Sequence, residues 1–166
     1  MAIALNLVTV LLGCNQTNRA IGPVALNSRY TDEQPALSGN GRFVAFVSNR
    51  DNRRKLLLYD LQQQQFVDLP GLNKPSAIAE TPSISRNARY IVYIASDRGR
   101  PELFLYDRAT RSSQILTQSY LGWVRNPSIS TDGRYIAFES SSRGGWDIEV
   151  IDRGLNIELD RPEGGG

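Results

Sequence analysis

One pattern runs through most of this chain three times. Pro35, Pro82 and Pro127 each open a segment that closes on an Asp 25 residues later, at Asp60, Asp107 and Asp152. Each Pro is followed three residues on by Ser38, Ser85 or Ser130, then by a turn and an Arg (Arg42, Arg89, Arg134). An aromatic follows (Phe43, Tyr90, Tyr135), and a second three residues further (Phe46, Tyr93, Phe138). A repeat of this kind dictates that the same supersecondary unit is built three times and that the units pack on one another.

Every unit reads as strands. Pro-x-x-Ser is short and extended. Asn40-Gly41 and Asp132-Gly133 are tight hairpin signals between apolar runs. The runs 42–48, 89–95 and 134–140 are rich in aromatic and β-branched residues, which favour a pleated surface. Third strands are expected over 56–61, 102–107 and 147–152, and weaker fourth strands over 66–69, 114–117 and 157–159. No helical periodicity appears after the N-terminal segment. Four antiparallel strands per unit of this length is the blade of a β-propeller, so the predicted class is all-β. FVAFV and YIVYI are apolar on both faces, as a strand covered on both sides by neighbouring sheets requires.

The pattern Pro-x-x-Ser-x-x-Gly-Arg-x-Ile-Ala-Phe-x-Ser, with its Asp ending, resembles the TolB-type, WD-like propeller repeat. Residues 127–152 carry the best copy, and the resemblance covers 31–159. It implies a propeller. It says less about activity, because the same repeat serves TolB, the propellers of prolyl-oligopeptidase-type peptidases and many bacterial surface proteins. Ala88 stands where the other two units have a turn glycine, so that hairpin either differs or tolerates strain.

Propellers usually close with about four to eight blades. Three blades form an open wedge whose end sheets each present an apolar face. Two copies around a two-fold axis would make six blades, and this homodimer is the expected completion; another chain or an unfinished remnant are the alternatives. Residues 15–30 read as a linker in which Val24 to Leu26 is a candidate latch strand, and 160–166 as a disordered tail.

The loops between second and third strands are the charged part of each unit. Arg50, Arg53, Arg54, Lys55, Arg98, Arg100 and Arg143 face only Asp51 and Asp97 there. In a propeller these loops share a face with the loops leading into the next blade, which carry Lys74, Trp123 and Arg125. That basic face is the candidate binding surface for an envelope protein, an acidic peptide or a polysaccharide. Arg53, Arg54 and Arg100 are expected to be its exposed members. An Arg recurring in this loop also has a plain structural use, pairing with a nearby carboxylate. Trp123 and Trp146, the only tryptophans, suit either an interface hot spot or the seam between blades, with packing favoured for Trp146. Recurrence in every unit argues that Asp60, Asp107, Asp152 and the three Ser are structural, the Asp bonding backbone amides after the third strand.

Catalysis finds little support. The chain has no His, which removes Ser-His-Asp and Cys-His chemistry and most zinc sites. Its single Cys14 permits no intrachain disulfide. No Gly-x-Ser-x-Gly elbow, phosphate loop or spaced carboxylate cluster is present. Neither cofactor nor metal is expected. With 19 Lys plus Arg against 17 Asp plus Glu, the charge does not suit a nucleic-acid binder.

The segment 1–12 is apolar and uncharged, and runs through Leu11-Leu12-Gly13-Cys14 into a polar stretch. This resembles the bacterial lipobox, which implies cleavage before Cys14, acylation of its thiol and a lipid-anchored home on the periplasmic side of a membrane. The first positive charge is only Arg19, whereas signals usually begin with one; a buried strand with a core cysteine is the other reading. Asn15 is not the Asp that holds some lipoproteins at the inner membrane, which favours the outer. The expectation is a protein-binding envelope propeller without enzyme activity. Carbohydrate binding, or an inactive cut-down relative of a peptidase or lyase propeller, are the alternatives.

Overall fold

The computed structural model describes residues 26, 28–75, 77–96 and 99–162. Cys14 and the rest of the lipobox lie outside them.

Three antiparallel sheets follow in chain order. The first has β1 (Asp32–Leu37), β2 (Phe43–Ser48), β3 (Lys55–Asp60) and β4 (Gln65–Val67). The second has β5 (Ala79–Ile84), β6 (Tyr90–Ala95), β7 (Glu102–Asp107) and β8 (Ser112–Ile115). The third has β9 (Val124–Ile129), β10 (Tyr135–Ser140) and β11 (Asp147–Asp152). Strands lie in each sheet in chain order, joined by hairpins, with only one 3-10 turn at Arg50–Asn52 among the described residues.

The repeated residues build the first hairpin of each blade. The Ser38, Ser85 and Ser130 hydroxyls accept from the amides of Phe43, Tyr90 and Tyr135 at 2.9, 3.0 and 2.9 Å. In the first and third blades the same hydroxyl donates to Asn40 and Asp132, whose side chains also accept from the amides of Arg42 and Arg134. Ala88 forms the same turn as Gly41 and Gly133, with φ of +54° against +71° and +80°. The hairpin therefore tolerates the strain, which for a residue with a Cβ costs about 1–2 kcal/mol. Each proline sits at a β-bulge in its first strand, after a residue of positive φ (Gln34, Thr81, Asn126). A bulge leaves a residue out of the ladder, so a missing N–H does least harm there.

The blades pack face to face. Phe43, Ala45, Leu56 and Leu58 of the first share one core with Ile84, Ile91, Tyr93 and Phe104 of the second. Tyr90, Val92, Leu103 and Leu105 of the second share another with Ile129, Ile136 and Phe138 of the third. All six residues of β6 are buried, as a sheet sandwiched between two others requires. Among the described residues, no sheet packs on the outer faces of the first and third blades.

Two expectations are corrected. Residues 157–159 form no fourth strand in the third sheet. The chain instead crosses back to the second blade, where Glu158 pairs with Arg89 at 2.8 Å and its carbonyl accepts from the Tyr90 hydroxyl. Nor does a disordered tail begin at 160. Asp160 is buried, accepts from the Ser85 hydroxyl at 2.6 Å and from the Asn87 amide at 2.7 Å, and receives the Asn87 side chain at 2.8 Å. Long-range hydrogen bonds outcompete a short edge strand with few apolar residues to pack. Of the candidate latch, only Leu26 is among the described residues; its carbonyl accepts from Arg50 at 3.2 Å.

Candidate functional site

The charged loops do not form one continuous basic surface. Arg50 turns inward: it donates to Asp32 at 3.0 Å and lies over the rings of Phe46 and Phe66. Arg54 bridges Glu33 at 2.7 Å and Glu80 at 3.3 Å, tying the first blade to the second. Arg100 donates to the Tyr120 carbonyl, to the Gln118 carbonyl at 3.1 Å and to Glu102 at 3.2 Å. Arg125 pairs with Glu139 at 2.6 Å. Arg54 and Arg100, expected among the more exposed members of this face, are half-buried and paired. A guanidinium with five donors finds acceptors once its stem lies on apolar surface. Arg53 and Arg143 are exposed, and Arg98 lies outside the described residues.

What the structure does assemble is a groove at the mouth of the seam between the first two blades. A cleft of about 260 Å³ is lined by Arg53, Arg54, Lys55 and Lys74, with Pro75 and Ile78 as apolar wall. It adjoins a second depression of about 480 Å³ that shares Arg53 and Lys55 and reaches Leu57 and Phe66. Two loops distant in sequence meet here. Asn73 fixes the second loop against β3, accepting from the Leu56 amide at 2.9 Å and donating to its carbonyl at 2.8 Å. Sequence reasoning missed Asn73. The only signal was an amide side chain beside Lys74, and Thr117 does half the same work for Leu103 in the next blade. Glu33 and Glu80 offset part of the charge through Arg54, leaving an excess of cations among the lining residues.

The third blade carries the tryptophans. Trp123 is 62 % exposed, and its backbone is held to Ser141 by hydrogen bonds of 2.9 Å in both directions. Trp146 is 46 % exposed beneath the Arg125 guanidinium, 3.8 Å from its ring centroid, rather than packed in a seam between two blades of this chain.

The repeated aspartates bond backbone. Asp60 accepts from the amides of Gln62 and Gln63, Asp107 from Ala109 and Asp152 from Gly154. Each also meets the Arg of its own blade, Arg42, Arg89 or Arg134. Burial pushes the Asp60 carboxyl up, but the Arg42 hydrogen bond and the two amides outweigh it and hold it below its ordinary value. The Arg134 and Gly154 hydrogen bonds bring Asp152 down to about 2. These are paired carboxylates, not poised acids. Among the described residues no group of three or more His, Cys, Asp or Glu is placed to hold a metal ion, and no helix is long and apolar enough to cross a membrane.

Two four-stranded sheets and one three-stranded sheet, antiparallel, in chain order and stacked through shared cores, define a partial β-propeller. No protein-family profile and no curated protein matches the chain. Solved structures do match, and they make the fold TolB-like. TolB from Acinetobacter baumannii superposes with a TM-score of 0.65 at 24 % identity, covering 81 % of this chain and 33 % of its own. A putative TolB from Agrobacterium tumefaciens gives 0.57 at 19 %, covering 80 % and 49 %. The propeller domain of the Trilobed protease from Pyrococcus furiosus gives 0.52 at 19 %, covering 74 % and 39 %. The chain thus spans a third to a half of the length of these proteins.

Proposed function

We propose that this chain is a non-enzymatic docking propeller of the bacterial cell envelope, which receives an acidic segment of another envelope protein. The groove at the first seam carries the reading. It sets four cationic side chains around an apolar wall, on two loops held by Arg54 and Asn73. Such a groove attracts carboxylates at long range and holds them by contact at short range. The likeness to TolB supports an envelope role on the periplasmic side, and the lipobox-like 11–14 supports a lipid anchor at Cys14 in the outer membrane. The peptidase propeller among the similar structures leaves the fold itself silent on activity, and the chain's lack of His argues against a hydrolytic centre of the Ser-His kind.

A labelled Glu-rich peptide titrated against the protein tests this. Binding should weaken as salt is raised. Arg53→Glu with Lys74→Glu should weaken it about tenfold. Unchanged affinity in that double variant would exclude the groove.

The exposure of Trp123 supports a second reading, carbohydrate binding on the third blade. Glycan pulldown with Trp123→Ala separates the two, and undiminished retention would exclude the glycan.

A further inference from the structure

Leu121 and Trp123 lie at the same end of the blade stack as the cationic groove. We propose that they are the apolar anchor of the same docking surface. The segment received by the groove carries an apolar side chain next to its carboxylates, and that side chain lands on Leu121 and Trp123. This rests on the docking reading of the groove and adds the partner's second feature.

Topology brings the two together. Loop 73–78, one wall of the groove, leads into β5, and loop 118–123 leads into β9. These are the first strands of successive blades, packed beside one another, so both loops stand at one end of the stack, one blade apart. Arg100 holds the second blade's own turn to the later loop, donating to the Tyr120 carbonyl and to that of Gln118 at 3.1 Å.

The loop is clamped so that it presents both side chains. Gly122 lies so close to the turn after β10 that a Cβ there would fall 2.4 Å from the Ser142 nitrogen. Trp123 is hydrogen-bonded to Ser141 in both directions, and Tyr120 meets the buried Phe138 edge to face at 5.6 Å. Residues 120 and 122 therefore face inward, and the alternate residues stand out. Leu121 is 94 % exposed, more than any other large apolar side chain among the described residues. Anchors held on a fixed backbone lose little freedom on binding.

The repeat does not impose these residues. The loop into the second blade has Ser76 and Ile78 where the loop into the third has Leu121 and Trp123. Ile78 is 51 % exposed although the third blade packs on the second, so this position stays open when another blade follows. The charge of the groove is equally particular: Arg53, Arg54, Lys55 and Lys74 correspond at the next seam to Arg100, Pro101, Glu102 and Ser119. Cations are concentrated at one seam and bulky apolar side chains at the next, on one face. Beside Leu121 a hollow of about 340 Å³, lined by Tyr120, Ser142 and Arg143, has room to seat an apolar side chain. A saccharide would use the ring of Trp123 but has no use for Leu121, which offers it neither a flat face nor a hydrogen bond.

Fluorescence anisotropy compares a labelled Glu-rich peptide with the same peptide carrying a Leu-Phe tail through Gly-Ser spacers of graded length. At the spacer that spans the two sites the tail should tighten binding about tenfold. That ratio should survive raised salt, which weakens both peptides alike through the groove. Leu121→Ser with Trp123→Ser should abolish the gain and leave the affinity for the untailed peptide unchanged, which also shows that the fold is intact. If the untailed peptide binds but no spacer yields a gain, or the gain survives that double variant, the proposal is overturned and the groove reading stands. If the untailed peptide does not bind, the groove reading fails and the proposal with it. Glycan retention that is lost in Trp123→Ala, without any gain from the tail, would assign these residues to carbohydrate and overturn the proposal.

Discussion

Asp160 accepts the Ser85 hydroxyl at 2.6 Å from 75 residues further along the chain. In the first and third blades that acceptor is local, Asn40 or Asp132, two residues after the Ser. In the second blade Asn87 occupies that position but accepts from Asn40 at 2.9 Å and gives its side-chain N–H groups to Asp160 and the Arg161 carbonyl. One carboxylate from the C-terminal segment thus completes a hairpin that the repeat completes by itself elsewhere.

Asp160→Ala should therefore lower stability by about 1–3 kcal/mol, because a buried hydroxyl and amide lose their acceptor. Urea unfolding measures it. A double-mutant cycle with Ser85→Ala should show coupling between the two sites, and additive effects would mean that the contact contributes nothing.

Gly133 and Gly154 share a left-handed backbone, at φ +80° and +89°, but not their surroundings. Gly154→Ala should cost about 1–2 kcal/mol for the conformation alone. Gly133→Ala adds a collision with the buried Tyr90 ring, worth a further 1–3 kcal/mol or so. Equal melting temperatures for the two variants would show that the second seam is looser than the structure has it.

Acid should unfold the protein through the paired aspartates. Asp152 falls from its ordinary 3.8 to about 2 in the folded chain, and Asp60 and Asp132 are also lowered. A carboxyl whose folded pKa is depressed contributes stability above its unfolded pKa and loses it as pH falls through the folded one. Stability should thus be level above about pH 4 and drop between there and pH 2. Asp60→Asn should be less stable at neutral pH and show a shallower decline, read from melts across that range.

Cys14→Ser should move the protein from the membrane to the soluble envelope fraction. Persistence on the membrane would show that another feature anchors it.

Much of the blade was legible in the residues. Third strands predicted at 102–107 and 147–152 fall at those positions, because alternating and β-branched runs between turn residues are local signals. The candidate site was legible only as a collection of charges. Nothing near Arg54 in sequence announced Glu80, and nothing near Arg50 announced Phe66, so which cations stay available could not be read. Asn73 was invisible for the same reason: its partner Leu56 belongs to another loop's strand.

Repeat spacing, hairpin chemistry and two-sided apolar strands determined by themselves that this chain builds propeller blades, since each depends on residues within one unit. Tertiary structure decided what lies between units: that Arg54 bridges two blades, that the groove forms beside it, and that residues 157–160 cross to the second blade instead of adding a strand. Those outcomes are competitions among acceptors and surfaces far apart in the chain, and only the packed arrangement brings the competitors within reach.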